Sequence, residues 1–66
     1  MSAQSEWLRA HWDREILGGY DGQWITVDAN NSVSDHDVDL RHLMERAAAR
    51  GEADELIFAF VWFGAL

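Results

Sequence analysis

Residues Leu56-Ile57-Phe58-Ala59-Phe60-Val61-Trp62-Phe63 form an unbroken apolar run in a chain that is otherwise acidic and polar. A strand with water on one face alternates apolar and polar side chains. A run that is apolar at every position needs cover on both faces. A membrane is not the expected cover. The C-terminal apolar tract, Leu56 to Leu66, is 11 residues, and a spanning helix needs roughly 17–25. The rest of the chain, or a partner, must therefore do the covering.

The whole chain is 66 residues, which reads as a single domain over 1–66. A chain this short buries only about 60% of its unfolded surface and is marginal without staples or partners. It has no Cys, so neither a disulfide nor a thiolate metal site stiffens it. It does carry Trp7, Trp12, Trp24 and Trp62, large side chains enriched in interfaces as well as cores.

Charge narrows the partners. There are 12 acidic residues against 5 Arg and no Lys, a formal net of -7. Binding to a phosphate backbone or an anionic membrane needs the opposite sign, so direct nucleic-acid and membrane partners are not expected. A basic partner, or imitation of nucleic acid by the acidic surface, is compatible with it. The N-terminal residues lack a basic region followed by an apolar core, so a cytoplasmic protein is expected.

Local patterns give the elements. Ser5–Leu17 reads as one helix, capped by Ser5, with Leu8, Trp12 and Ile16 as a stripe, Arg9–Asp13 as an i,i+4 pair, and Gly18-Gly19 as a left-handed stop. Asp21-Gly22 marks a turn. Gln23–Asp28 alternates as a strand, with Ile25 and Val27 on one face and Trp24 and Thr26 on the other. Asn30-Asn31 suits a hairpin turn, because Asn tolerates positive φ. The returning strand, Ser32–Ser34, is short, as edge strands often are. A second helix follows an N-cap near Asp37, with Leu40, Leu43, Met44 and Ala47 inward and Gly51 as its stop. Glu52–Glu55 reads as an acidic loop before the apolar strand.

The order α-β-β-α-β predicts an α+β fold with two helices and a small three-stranded antiparallel sheet, strand order 2-1-3. The second helix is expected over Ile25, Val27, Ile57, Ala59 and Val61. That leaves Phe58, Phe60 and Trp62 beside Trp24 on the other face, partly covered by Trp7 and Trp12 of the first helix.

Tyr20-Asp21-Gly22-Gln23-Trp24-Ile25-Thr26-Val27 resembles a family of short prokaryotic proteins of unknown function with the strand motif Tyr-x-Gly-x-Trp-[Ile/Val]-[Ala/Thr]-Val. Asp39-Leu40, Leu43, Ala47 and Gly51 are similar to its Asp-Leu-x-x-Leu…Ala-x-x-x-Gly helix. The resemblance covers Trp12 to Phe63 and implies a fold, with no activity attached. The chain departs from the family in its last strand. Phe58, Phe60 and Trp62 stand where relatives alternate polar residues, and no Pro follows.

Candidate chemistry is sparse. Asp35, His36, Asp39 and His42 are metal-ligand types close in sequence, and Asp39 and His42 fall i,i+3 on a helix. The spacing matches no zinc signature, and Asp residues ahead of a helix serve as caps. His11 and Glu15 are an i,i+4 pair with no nucleophile or pocket-forming sequence. No catalytic residue, no metal and no cofactor is expected, and the reading is non-enzymatic. The aromatic set points instead to protein–protein interaction through the last strand, with Trp24, Phe58, Phe60, Trp62, Trp7 and Trp12 as anchors and a second copy or another protein as partner. The alternatives are an acidic inhibitor or regulator that mimics nucleic acid on a basic partner, and a metal-dependent activity at Asp35–His42.

Overall fold

The computed structural model describes residues 3–64. Its elements are α1 (Ala3–Ala10), α2 (Arg14–Leu17), β1 (Trp24–Val27), β2 (Val33–Asp37), α3 (Leu40–Ala49) and β3 (Ile57–Phe60), with 3-10 turns at Gly18–Tyr20 and Ala53–Glu55. The fold is α+β. The sheet is antiparallel with order β2-β1-β3, as the sequence predicts. Among the described residues no helix is long and apolar enough to cross a membrane.

The expected single helix over Ser5–Leu17 is corrected to two. Asp13 takes an extended conformation and its side chain accepts from the Glu15 amide at 2.6 Å, which makes it the N-cap of α2. Local capping by an Asp outcompetes helix continuation. The break dissolves the Leu8–Trp12–Ile16 stripe. Leu17 is fully buried, while Ile16 and Trp12 are exposed. Gly18 stays right-handed at φ -60, and the chain tightens into a 3-10 turn. The left-handed glycine comes later, at Gly22 with φ 80. Asp21 at φ -56, ψ 129 and a bond from the Gln23 amide to the Tyr20 carbonyl at 2.9 Å complete a type II turn into β1.

β2 is longer than expected and takes in Asp35, His36 and Asp37. A bulge makes this possible. Val27 pairs with Val33 and Thr26 pairs with Asp35, so Ser34 is an extra residue. In a regular strand Val33, Asp35 and Asp37 would share one face. The bulge turns Val33 toward Val27 and the core, and puts Asp35 and Asp37 on the face of Thr26 and Trp24. The Thr26 and Ser34 hydroxyls meet at 2.7 Å across it. Asn31 takes the positive φ of the hairpin turn, 59°. The helix N-cap is Asp39, two residues past Asp37, with its side chain accepting from the Arg41 amide.

The helices sit on the opposite faces from those expected. Leu17, Ile25, Val27 and Val61 form the core, with Trp7, Leu8, Tyr20, Ile57, Ala59 and Phe63 packed on it. The first helices therefore cover the Ile25/Val27 face. The α3 helix lies over the Thr26 face, where Arg46 reaches Asp35 and Asp37 and where Leu43 and Ala47 are buried. Met44, expected in the core, is 51% exposed. A helix stripe specifies that a face is buried and does not specify which sheet face receives it. The ionic contacts to β2 accompany the choice made here.

Candidate functional site

β3 is an edge strand. It pairs with β1 on one side, and no described strand pairs with the other. The Val61 amide donates to the Gln23 carbonyl at 2.9 Å. Antiparallel alternation then makes 25/59 and 27/57 the hydrogen-bonded pairs. The backbone groups of Phe58 and Phe60 consequently point away from β1, to the open edge. Their side chains share the α3 face with Thr26 and Trp24, opposite which they are registered.

On that face the rings form a chain. Trp24 and Phe60 lie with centroids 5.4 Å apart, and Phe60 stacks on Trp62 at 6.4 Å with 17° between planes. Phe58 is half-buried beside them, Phe60 is 40% exposed and Trp62 is 56% exposed. Because α3 is drawn toward β2 by Arg46, the β3 side of the face has the thinner cover. Separately, a shallow depression of about 530 Å³ on α3, open to solvent, is lined by Leu40, Arg41, Met44, Glu45 and Ala48.

Four of the six expected anchors, Trp24, Phe58, Phe60 and Trp62, share this face. Trp7 and Trp12 do not, and that expectation is corrected. Trp7 packs on the Leu17–Ile25 core and stacks on His11 at 4.7 Å, and Trp12 leans on Phe63 at 6.0 Å, both on the far side of the sheet. The helix break explains it, since α1 and α2 follow Leu17 onto the Ile25 face.

The metal-ligand types are dispersed. Asp35 and Asp37 bind Arg46, Asp39 caps α3, and the His36 ring meets Gln23 at 2.8 Å and Tyr20 on the opposite sheet face. His42 is exposed, 3.9 Å from Asp39. Among the described residues no group of three or more His, Cys, Asp or Glu side chains is placed to hold a metal. His11 Nδ1 lies 2.8 Å from the Trp7 carbonyl, and the break between α1 and α2, with Asp13 extended, separates it from Glu15.

The arrangement that sequence reasoning missed is ionic. Arg46 donates to both Asp35 oxygens, to Asp37 Oδ2 and to the His36 carbonyl, while Arg50 bridges Glu52 and Asp35. The Arg46 hydrogen bonds hold the Asp35 carboxyl down at about 2, against the opposing effect of burial. The Asp39 amide, then Arg46, lowers Asp37. Arg46 is raised in turn, chiefly by its bonds to Asp35 and Asp37, and Arg50 chiefly by Glu52. One signal was available. Asp35 and Asp37 are two apart, as on one strand face, and Arg46 and Arg50 are four apart, as on one helix face.

Comparisons of the chain with protein-family models, with curated proteins and with solved structures found no match.

Proposed function

We propose that the protein is a non-enzymatic interaction module that docks another polypeptide along the open edge of β3. The observation that carries this reading is the stacked Phe60–Trp62 pair, 40% and 56% exposed, beside an edge with unpaired backbone groups. Strand addition draws affinity from main-chain hydrogen bonds and selectivity from alternate side chains. Here the alternate side chains on the exposed face are Phe58, Phe60 and Trp62, with Trp24 behind Phe60. Aromatic anchors of this size dominate interface energetics. A long apolar edge left open invites uncontrolled pairing. A dedicated partner removes that hazard, and the net charge of -7 limits the rest.

The test is gentle purification from expressing cells. The wild-type chain is expected to retain a stoichiometric polypeptide, either a copy of itself or a different protein. Phe60→Asp is expected to lose it, and Ile16→Asp, on the opposite face, to keep it. A wild-type chain that runs alone, with Trp62 equally open to a fluorescence quencher at all concentrations, overturns the reading.

A further inference from the structure

We infer that the occupant of the β3 edge is a second copy of this chain, paired antiparallel about a two-fold axis at Phe60, so that two three-stranded sheets become one of six. The inference rests on the docking reading and adds the partner, the direction and the register.

Direction follows from charge. The acidic Asp54 and Glu55 stand at the Leu56 end of β3. Arg14 stands at the other end, where its guanidinium donates to the Phe63 carbonyl at 3.1 Å and lies 5.7 Å from the Phe63 ring centre. Antiparallel pairing keeps the two acidic ends apart and sets each beside the other copy's Phe63 end, where Arg14 is accompanied by Asp21, whose carboxylate accepts from the Phe63 amide at 3.1 Å. A parallel arrangement would put acid beside acid, which is unfavourable for like charges. Two-fold symmetry itself makes a strand meet its own copy antiparallel.

Register follows from the backbone and from the uncharged run. The outward-pointing groups belong to Phe58, Phe60 and, continuing the alternation, Trp62. Across the new edge these residues must pair with one another. Residues 56–64 carry no charge, and Phe60 is at their middle. Pairing 60 with 60 and 58 with 62 overlays this run on itself and keeps both Glu55 side chains outside it. Gly64, at φ 71, turns the chain at the end of the overlap. The Phe58, Phe60 and Trp62 rings of the two copies then interleave on the α3 face.

The area suits a reversible dimer. Covering the exposed parts of Phe60 and Trp62, 40% and 56% of each residue, together with the backbone edge removes roughly 300–400 Å² per copy, about 600–800 Å² in all, the size of a weak, transient association. The exposed Trp12 and Ile16 patch on the far face has no strand edge beside it and lacks the backbone part of this area.

Sedimentation equilibrium tests the inference. The wild type is expected to form a dimer with a Kd on the order of micromolar, and Trp62→Asp to be a folded monomer with unchanged circular dichroism. Arg14→Glu is expected to weaken the dimer severalfold, and adding Glu55→Arg to restore it. Because the chain has no Cys, Phe60→Cys reports register. Mild oxidation should join it to its own copy, as the roughly 5.5 Å Cα separation of a paired position permits, while Ile57→Cys should stay unjoined. A wild type that stays monomeric at about 100 times the micromolar range overturns the second copy, as does a dimer that Trp62→Asp leaves intact. If that monomer instead retains a different polypeptide that Trp62→Asp releases, the docking reading stands and only the second copy falls. If it retains none, both fall.

Discussion

Arg46 grips Asp35 with two parallel hydrogen bonds, Nε to Oδ2 at 2.8 Å and Nη2 to Oδ1 at 3.1 Å, and reaches Asp37 Oδ2 with a third at 2.8 Å. Planar bidentate pairing is the strong form of an ion pair, and it fixes direction as well as distance. Arg46 is on α3 and both carboxylates are on β2, so the fork seats the helix over the edge of the sheet opposite β3. That seating is what leaves Phe60 and Trp62 with thin cover.

Arg46→Ala is therefore expected to lower the unfolding midpoint, because Asp37 loses its counter-ion and Asp35 keeps only Arg50, at 3.4 Å. Arg46→Lys keeps the charge and loses the fork, and is expected to fall between the two. Urea unfolding of the three proteins checks the order.

The same carboxylates set the acid limit. The folded Asp35 carboxyl titrates near 2, below the usual 3.8, and Asp37 is lowered in the same direction. A depressed folded value stabilises the native state above the unfolded value and loses that contribution as pH falls toward the folded one. Stability contributed by this pair should be constant down to about pH 4 and decline between about 4 and 2. Asp35→Asn should flatten that decline, as read from unfolding midpoints against pH. An unchanged slope would remove Asp35 from the acid transition.

Strand order, sheet direction and the hairpin were legible because local signals decide them. Asp21-Gly22 and Asn30-Asn31 turn the chain, and the α3 crossover places β3 beside β1. The assignment of helices to faces was not legible. Both faces of β3 are apolar, so its pattern gives no preference, and the bulge at Ser34 changes the facing of Asp35 without a mark in the sequence. Of the candidate site, the β3 aromatics were legible as a run, whereas Trp7 and Trp12 went elsewhere because Asp13 capped a new helix.

Two glycines separate backbone conformation from crowding. A Cβ at Gly22 or at Gly19 would meet nothing within 4 Å, but only Gly22 has a left-handed φ. Gly22→Ala is expected to cost about 1–3 kcal/mol from conformation alone. Gly19→Ala is expected to stabilise slightly, by roughly 0.4–1 kcal/mol, by restricting the unfolded chain. Thermal melts of opposite sign would confirm the type II turn.

The small core has little reserve. Leu17 is fully buried among Ile25, Val27 and Val61, whereas the adjacent Ile16 is exposed. Leu17→Ala is expected to cost about 2–5 kcal/mol, comparable with the roughly 3–5 kcal/mol that a core in this size range supplies. Much of the population should then be unfolded by circular dichroism at 25 °C. Ile16→Ala should change the midpoint little.

Phe58 and Trp62 separate folding from docking on one strand. Phe58 is half-buried opposite Thr26, itself fully buried, so it contributes to the fold and to the edge. Trp62 is mostly exposed and touches the sheet through Phe60. Trp62→Ala is expected to leave unfolding free energy within about 0.5 kcal/mol while weakening association at least tenfold, about 1.4 kcal/mol or more. Phe58→Ala should lower both, with about 2–3 kcal/mol lost from the fold. Denaturation measured below the association constant and sedimentation measured above it give the two quantities independently. If Trp62→Ala destabilises the monomer as much as Phe58→Ala does, the indole belongs to the core and the docking surface proposed for β3 loses its principal anchor.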